Sequence, residues 1–600
     1  MSARGREAAA LALLLLLGLA PRLLFIAVFP TEPISDFKSL VAFAQAFQAD
    51  GWAPRTAFWD FFGPGTAFAL SLVLRLVPGD PSAVARAATA VVSGLVPLLP
   101  FLIWRRVLPM RFRFLAGAAL ALWPGQIGFS GVVAQDNWVL PPVVALACLA
   151  ARSLLARDAG RPVLAGLLFA LAVAVRQEML VALLPLLPAV AGLGWPETRR
   201  ARNALLVLLA TLVPLLLLAA QRQAATGRFA LTTEHGGLAV LGSYLPGSTV
   251  NGWADPVAYV AAVEPSLLDS NDRLRHEAGR LALREALGRP AFHAARIAVT
   301  SLALAFEGEW NNLYWSLVSP DALPAGLLAR GQRFAARVGP FLHGEMAVLQ
   351  ALFLASAILA VAWRHRPMLT LCAALLLKAC IHAVTVAQGR YLLAVMALEI
   401  LVIALAAAEV ARRRQLRVPA AALGFAAVCV TVLFLISPLA VAGIRARDVD
   451  PQRVYRFRLS GPDGATLACV VSQGRVTILT GQRATFELLA RDPAPGDAAI
   501  ADCQLAGAPA VPLILRVQDA YATGSLPGRI RQRVEVDGAT ALDHDLGAEP
   551  WEGWSTAPLA PGARRVVIQV LAGQPDPGAA WGHAATTTFE LAASPAATTP

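Results

Sequence analysis

The chain has 600 residues, 57% of them hydrophobic and only 15% charged, with a net charge of +12. Soluble domains usually carry about 25% charged residues, so lipid is the main solvent. A basic surplus would suit nucleic acid in a soluble protein, but here the arginines sit in short loops between apolar runs, as membrane proteins place them. No nucleic-acid partner is expected. There is no CxxC, no metal-spaced Cys/His set and no Walker or Rossmann glycine pattern, so a soluble nucleotide-driven mechanism has no support. Of 51 basic residues only Lys38 and Lys378 are lysines.

The first apolar run, about 8–28, follows Arg4 and Arg6 and has no small-residue cleavage site, which predicts a retained span. Further spans are expected at about 83–104, 113–130, 138–156, 162–175, 178–194, 203–220, 342–362, 367–388, 391–410 and 418–440. The total is about eleven, each long enough or nearly so for the hydrocarbon core. The stretch 65–77 is apolar but too short to cross, and is expected to lie at the interface.

Charge fixes the orientation. With a cytoplasmic N-terminus and 65–77 not crossing, the Arg-dense loops 105–113, 157–161, 195–202, 364–366 and 412–417 all fall on the cytoplasmic side. The 30–82 loop, the Gln135–Asn137 turn, the long 221–341 loop and everything after about 441 then lie outside. A connection as long as 221–341 is rarely passive. Arg273–Gly288 and Pro290–Leu304 read as amphipathic helices within it. Its aromatic cluster Trp310, Tyr314 and Trp315 is either an interfacial belt or a stacking surface for a sugar.

After Arg445 the composition turns polar. Short alternating runs such as RVTILT, RQRVEVDG and RRVVIQVLA, separated by turn residues, predict a β-sandwich over 446–600. Trp551, Trp554 and Trp581 suit carbohydrate stacking or a core equally. Cys469 and Cys503 are the only cysteines in that domain and are disulfide candidates if it faces an oxidising compartment.

An ionisable group in or against a membrane is costly, so each one invites a functional reading. Asp36 lies in the first external loop and Asp136 in the turn before the fourth span. Arg176 and Glu178 interrupt the apolar stretch 162–194. Lys378 and His382 are four apart and share a helix face, and Arg390 and Tyr391 open a late span with Glu399 further in. Plainer roles compete: Asp36 or Asp136 as a helix cap, Arg390 as a snorkelling end residue, Lys378 as the partner of Glu399, and His382 as an interior histidine.

Several runs occur in a telling order. They are Asp36 in the first loop, Phe62-Gly63-Pro64-Gly65 heading a short apolar helix, Arg86 before the second span, LALWPGQIGFSGVVAQDNW (120–138), ALAVAVRQE (170–178) and GRYLLAVMALEI (389–400). In this order they resemble the GT-C glycosyltransferases, in the branch of protein O-mannosyltransferases and the lipid A aminoarabinose transferase. The resemblance covers much of 1–410. Asp36 lacks the adjacent second acid of the mannosyltransferases, Gln135-Asp136 stands where many relatives have Ser-Glu, and the late Arg-Tyr lacks the usual Pro pair.

The resemblance implies a GT-C-like catalytic module over 1–440. It would transfer a sugar, with inversion, from a polyprenyl-phosphate carrier to an acceptor glycan, lipid or protein at a bacterial plasma membrane. The C-terminal domain would then be periplasmic, with glycan binding as its expected role. Asp36 and Asp136 would be catalytic, and Arg176, Lys378, His382, Arg390 and Tyr391 would hold the donor phosphate. Lys38, Arg86, Glu178 and Glu399 would support them. No cofactor is expected, and a divalent cation is left open. The competing classes are a transporter or flippase for a lipid-linked sugar and a membrane-anchored glycan-binding protein.

Overall fold

The computed structural model describes residues 2–158, 161–192, 200–231, 236–245, 271–288, 290–319, 322–385 and 388–413, with single positions between them, and strand segments from 455 to 593. The chain forms two compact units, Met1–His235 with Ala295–Val441 and Gly236–Ala294 with Ala442–Pro600.

The first unit is helical: α1 (Ala3–Val28), α2 (Ser35–Asp50), α3 (Pro64–Leu76), α4 (Pro81–Leu95), α5 (Leu98–Ile103), α6 (Met110–Leu122), α7 (Pro124–Phe129), α8 (Gln135–Ala156), α9 (Pro162–Val175), α10 (Met179–Ala182), α11 (Leu187–Val190) and α12 (Arg200–Thr226). The second unit opens with α13 (Gly236–Tyr244) and α14 (Asn271–Gly288), and α15 (Pro290–Leu313) follows. The first unit resumes at Ala295, within α15, and continues with α16 (Ala325–Ala362), α17 (Arg366–Val384) and α18 (Leu393–Arg413).

Among the described residues, 7 helices are long and apolar enough to cross a membrane: Arg4–Val28, Pro81–Ile103, Gln135–Ala156, Arg200–Thr226, Gly326–Ala362, Arg366–Val384 and Gly389–Arg413. The chain is a multi-pass membrane protein. The expected total of about eleven is not reached by this measure, for local reasons. The run 113–130 breaks at Trp123–Pro124 into α6 and α7, because the proline cannot donate into the preceding turn. Pro185 and Pro188 likewise divide 178–194 into α10, a 3-10 turn at Leu184–Leu186, and α11. Helix α9 has only 14 residues, and the run 418–440 lies, but for isolated positions, outside the described residues. In the other direction, α16 begins well before the expected 342, since 325–341 is rich in helix-forming Ala, Leu and Arg and tolerates Pro340.

The bundle packs through small residues, as helices in lipid must. A Cβ on Gly18 of α1 would lie 2.2 Å from the Gly94 carbonyl oxygen of α4. Helix α8 is buried almost throughout and shares one apolar cluster with α9, α17 and α18, including Leu146, Phe169, Leu371 and Leu401. The buried Arg22 of α1 donates to the carbonyls of Leu120 and Ala121 and to Gln126 Oε1. It thereby satisfies backbone acceptors freed by the break between α6 and α7.

In the second unit α13 and α14 pair around Leu241, Leu245 and Leu281. The strands are β1 (Tyr455–Ser460), β2 (Thr466–Gln473), β3 (Arg475–Leu479), β4 (Arg483–Glu487), β5 (Ala498–Ala506), β6 (Leu513–Ala520), β7 (Ile530–Val536), β8 (Ala539–Leu546), β9 (Ser555–Leu559), β10 (Arg565–Ala572) and β11 (Thr586–Ala593). They form antiparallel sheets of order β1-β2-β5-β10-β7-β8 and β3-β4-β11-β6-β9. Inward residues of both, among them Val471, Cys503 and Ile568 from one and Leu515 and Phe589 from the other, fill one core, which makes a sandwich. Cys469 and Cys503 face each other across β2 and β5 and form a disulfide. Trp551, Trp554 and Trp581 lie outside the described residues.

Candidate active site

The 30–82 region folds into a platform. Helix α3 has 13 residues and rises about 20 Å, short of the roughly 30 Å hydrocarbon core. It packs back on α2 instead, around Phe43, Phe47, Trp59 and Leu70. Arg75, in the last turn of α3, donates to the carbonyls of Phe47 at 2.9 Å and Gln48 at 3.3 Å, covering the negative end of α2. The opposite end of α2 carries Asp36 in its first turn. Asp36 is largely exposed and its Oδ2 accepts from Arg390 Nη2 at 3.3 Å.

Three helix ends meet beside this platform. A Cβ on Gly63 would lie 2.4 Å from the Ala174 carbonyl oxygen, and one on Gly65 2.9 Å from the Ala174 carbonyl carbon. Only glycines let the start of α3 approach the end of α9 so closely. Gln135 of α8 donates to the Gly63 carbonyl at 3.0 Å and locks the third end in place. At this junction Arg176, extended just past α9, donates to Asp136 Oδ1 at 2.6 Å. The guanidinium also faces Glu178, Nε to Oε1 at 3.3 Å.

Helix α17 completes the cluster. Lys378 is buried, with Nζ 2.8 Å from Glu178 Oε1 and 2.7 Å from His382 Nε2. With the ammonium as donor, the imidazole lone pair is on Nε2. His382 stacks on Tyr391 at a centroid separation of 5.0 Å, and Arg176 lies over the same ring at 4.5 Å. Arg390 donates to the Tyr391 hydroxyl at 3.0 Å and is enclosed by Phe37, Trp315 and Tyr391, each about 5 Å away. Three carboxylates (Asp36, Asp136, Glu178) thus meet three basic side chains (Arg176, Lys378, Arg390). For the buried members this balance is what makes the burial tolerable.

Neither aspartate caps its helix through its side chain; both accept from arginines instead. The partner of Lys378 is Glu178, not Glu399, which accepts from Gln350 at 3.2 Å on a different part of the bundle. Lys38 is exposed on the opposite side of α2 from Asp36 and lines a surface groove with Glu32, Gln45 and Asp80. Arg86 donates to the Thr31 carbonyl at 2.7 Å and faces Glu32 at 3.8 Å, so it braces the loop leading to Asp36. Trp315 meets Phe37 edge-on at 5.6 Å and belongs to the site's wall, whereas the side chain of Trp310 lies outside what is described.

Sequence reasoning passed over Phe37, Gln135 and Gln177. Gln177 Oε1 accepts from the Thr233 amide at 2.6 Å, pinning the link between Arg176 and Glu178. A polar residue wedged between two charged ones at the end of an apolar run was the available signal. Among the described residues no group of three or more His, Cys, Asp or Glu side chains gathers to hold a metal ion.

A helical membrane bundle with a charge cluster walled by aromatic rings, joined in sequence to a β-sandwich, defines a class of architecture. Three solved structures match 73–99% of the chain. The Archaeoglobus fulgidus oligosaccharyltransferase in the apo form matches 73% of this chain and 56% of its own, at 17% identity and a TM-score of 0.37. The same organism's AglB, in complex with an inhibitory peptide and a dolichol-phosphate, matches 73% and 55% at 15% identity and a TM-score of 0.33. The arabinosyltransferase EmbB from Mycobacterium smegmatis matches 99% of this chain and 65% of its own, at 13% identity and a TM-score of 0.28. This chain spans less than two thirds of their length, and no residue role is carried across from them. No protein-family model and no curated protein sequence matches the chain.

Proposed function

We propose that the protein is an inverting GT-C glycosyltransferase, moving a sugar from a polyprenyl-phosphate carrier to an extracytoplasmic glycan, lipid or protein. In this reading it lies in a bacterial plasma membrane with a cytoplasmic N-terminus and a periplasmic sandwich. The observation that carries it is the pairing of one exposed carboxylate, Asp36, with a largely buried wall of Arg390, Arg176, Lys378 and His382. A base open to an acceptor thus stands next to an anion site walled off from water.

The acceptor's oxygen or nitrogen attacks the anomeric carbon, its proton passes to an Asp36 oxygen, and the sugar–phosphate C–O bond breaks. The electron pair stays on the phosphate oxygen, so the lipid phosphate leaves with one more negative charge than it brought. Arginine forks and a lysine point charge answer that charge, and one such contact is worth about 10²–10³ in rate. Asp36 touches Arg390 at only 3.3 Å, which leaves an oxygen free for the acceptor. Asp136 is buried against Arg176 and orients it; the proton falls to Asp36.

The test is transfer by purified protein from radiolabelled polyprenyl-phosphate sugars to membrane-extract acceptors, with Asp36→Asn alongside. Transfer should fall at least a hundredfold in Asp36→Asn while donor binding is kept, a loss on the order of a missing general base. Donor binding without transfer, indifferent to Asp36, would replace this reading with a flippase.

A further inference from the structure

We infer that Glu178 is a resident plug of the phosphate site: its carboxylate occupies the position of the donor's phosphate and returns there to expel the lipid phosphate product. The inference rests on the reading that this cluster holds phosphate.

One oxygen carries the case. Glu178 Oε1 lies 2.8 Å from Lys378 Nζ and 3.3 Å from Arg176 Nε. Nitrogens from two separate elements, the end of α9 and the middle of α17, thus converge on a single oxygen, as they would on a phosphate oxygen. The arrangement at Glu409 differs, since both of its arginines are neighbours on its own helix.

The other ligand of Arg176 has a different character. Asp136 sits at the start of α8 with its side chain only 7% exposed and accepts from Arg176 at 2.6 Å. It can hold the guanidinium in place when Glu178 leaves. Glu178 stands in the non-helical link between α9 and α10, with its side chain 22% exposed. The preceding residue, Gln177, is tied to Thr233. The backbone is therefore held while the glutamate side chain has a way out, and a change of rotamer suffices to exchange anions.

Two anions cannot share Lys378 at this depth, because like charges a few ångströms apart repel strongly where water is scarce. The arriving donor phosphate displaces Glu178. Transfer then raises the charge on the phosphate, and the returning carboxylate competes with it for Lys378 and Arg176. Glu178 would act as a positioning residue that trades donor affinity for product release.

The experiment measures binding of undecaprenyl phosphate to the full-length protein in detergent, by calorimetry and thermal shift, for wild type, Glu178→Gln and Lys378→Met. We expect Glu178→Gln to melt lower without lipid, to regain more on adding it, and to bind it roughly tenfold tighter, with both kcat and KM for transfer lowered. Lys378→Met should bind weakly with either residue at 178. Equal or weaker binding by Glu178→Gln, with wild-type binding still lost in Lys378→Met, overturns the plug and keeps the phosphate site. Absence of binding in all three overturns the phosphate reading and the plug with it. Should Glu178→Gln not fold, Glu178→Asp, which withdraws the carboxylate, is expected to show the same tightening to a lesser degree, and unchanged binding there overturns the plug.

Discussion

The candidate site in the helical unit and the sandwich both hold arginine–carboxylate pairs, and by bond geometry alone the sandwich has the better ones. Arg565 grips Asp502 with two bonds, 2.9 and 2.5 Å, and Arg531 grips Asp543 with 2.5 and 2.6 Å. In the bundle Arg390 reaches Asp36 once, at 3.3 Å, and Arg176 reaches Asp136 once, at 2.6 Å. Yet the sandwich pairs lie on strand faces open to water, where such a pair is worth about 0–1 kcal/mol. In the bundle the Arg176–Asp136 pair is shielded on both partners, so that breaking it leaves a charge with nowhere to go, whereas in the Arg390–Asp36 pair only the arginine is buried. The solvent around a pair, more than its bond lengths, decides how much depends on it.

The largest effect should follow from Arg176→Ala. It strands Asp136, whose side chain is 7% exposed, and is expected to cost about 3–5 kcal/mol. Adding Asp136→Asn should restore part of this, and thermal unfolding in detergent across the four variants measures the coupling. Arg565→Ala, run the same way on this water-exposed pair, should lower the unfolding temperature far less. Similar losses for Arg176→Ala and Arg565→Ala would break the comparison.

A covalent link is the sandwich's strongest single constraint. The Cys469–Cys503 bridge closes a separation of 34 residues between two buried strand positions. Loop-closure entropy assigns such a bridge about 3–4 kcal/mol. Replacing both cysteines with alanine should speed amide exchange in β2 and β5 of the full-length protein while leaving α8 unchanged. Equal acceleration in α8 would show that the two units do not unfold separately.

Much of the bundle was legible because lipid leaves a plain signature: long apolar runs marked α1, α8, α12, α17 and α18 within a few residues. Less legible were elements set by single residues. Pro124 and Pro185 break runs that hydropathy reads as continuous, and the start of α16 is too polar to be counted with its span. The site was visible as a set of charges but not as pairs. Lys378 and Glu178 are 200 positions apart, and nothing in either neighbourhood favours that pairing over Glu399. The convergence depends on Gly63 and Gly65 admitting α3 to the end of α9, which a sequence shows only as two small residues near a proline.

The smallest effect is the most informative about solvent. The hydrogen bond from Arg565 lowers the Asp502 carboxyl below its ordinary value, and Arg531 does the same for Asp543. A depressed carboxylate adds stability that is present above the ordinary carboxylate range, near pH 4, and is lost as pH falls through the lower folded-state value. Both pairs are open to water, so each should contribute under about 0.5 kcal/mol. Exchange protection of β5 and β10 should therefore decline only slightly from pH 6 to pH 3, and Asp502→Asn should remove part of that slope. A steep decline that survives in Asp502→Asn would mean that another carboxylate in the sandwich is buried as deeply as those of the bundle, and that the contrast in solvent is smaller than the exposed strand faces imply.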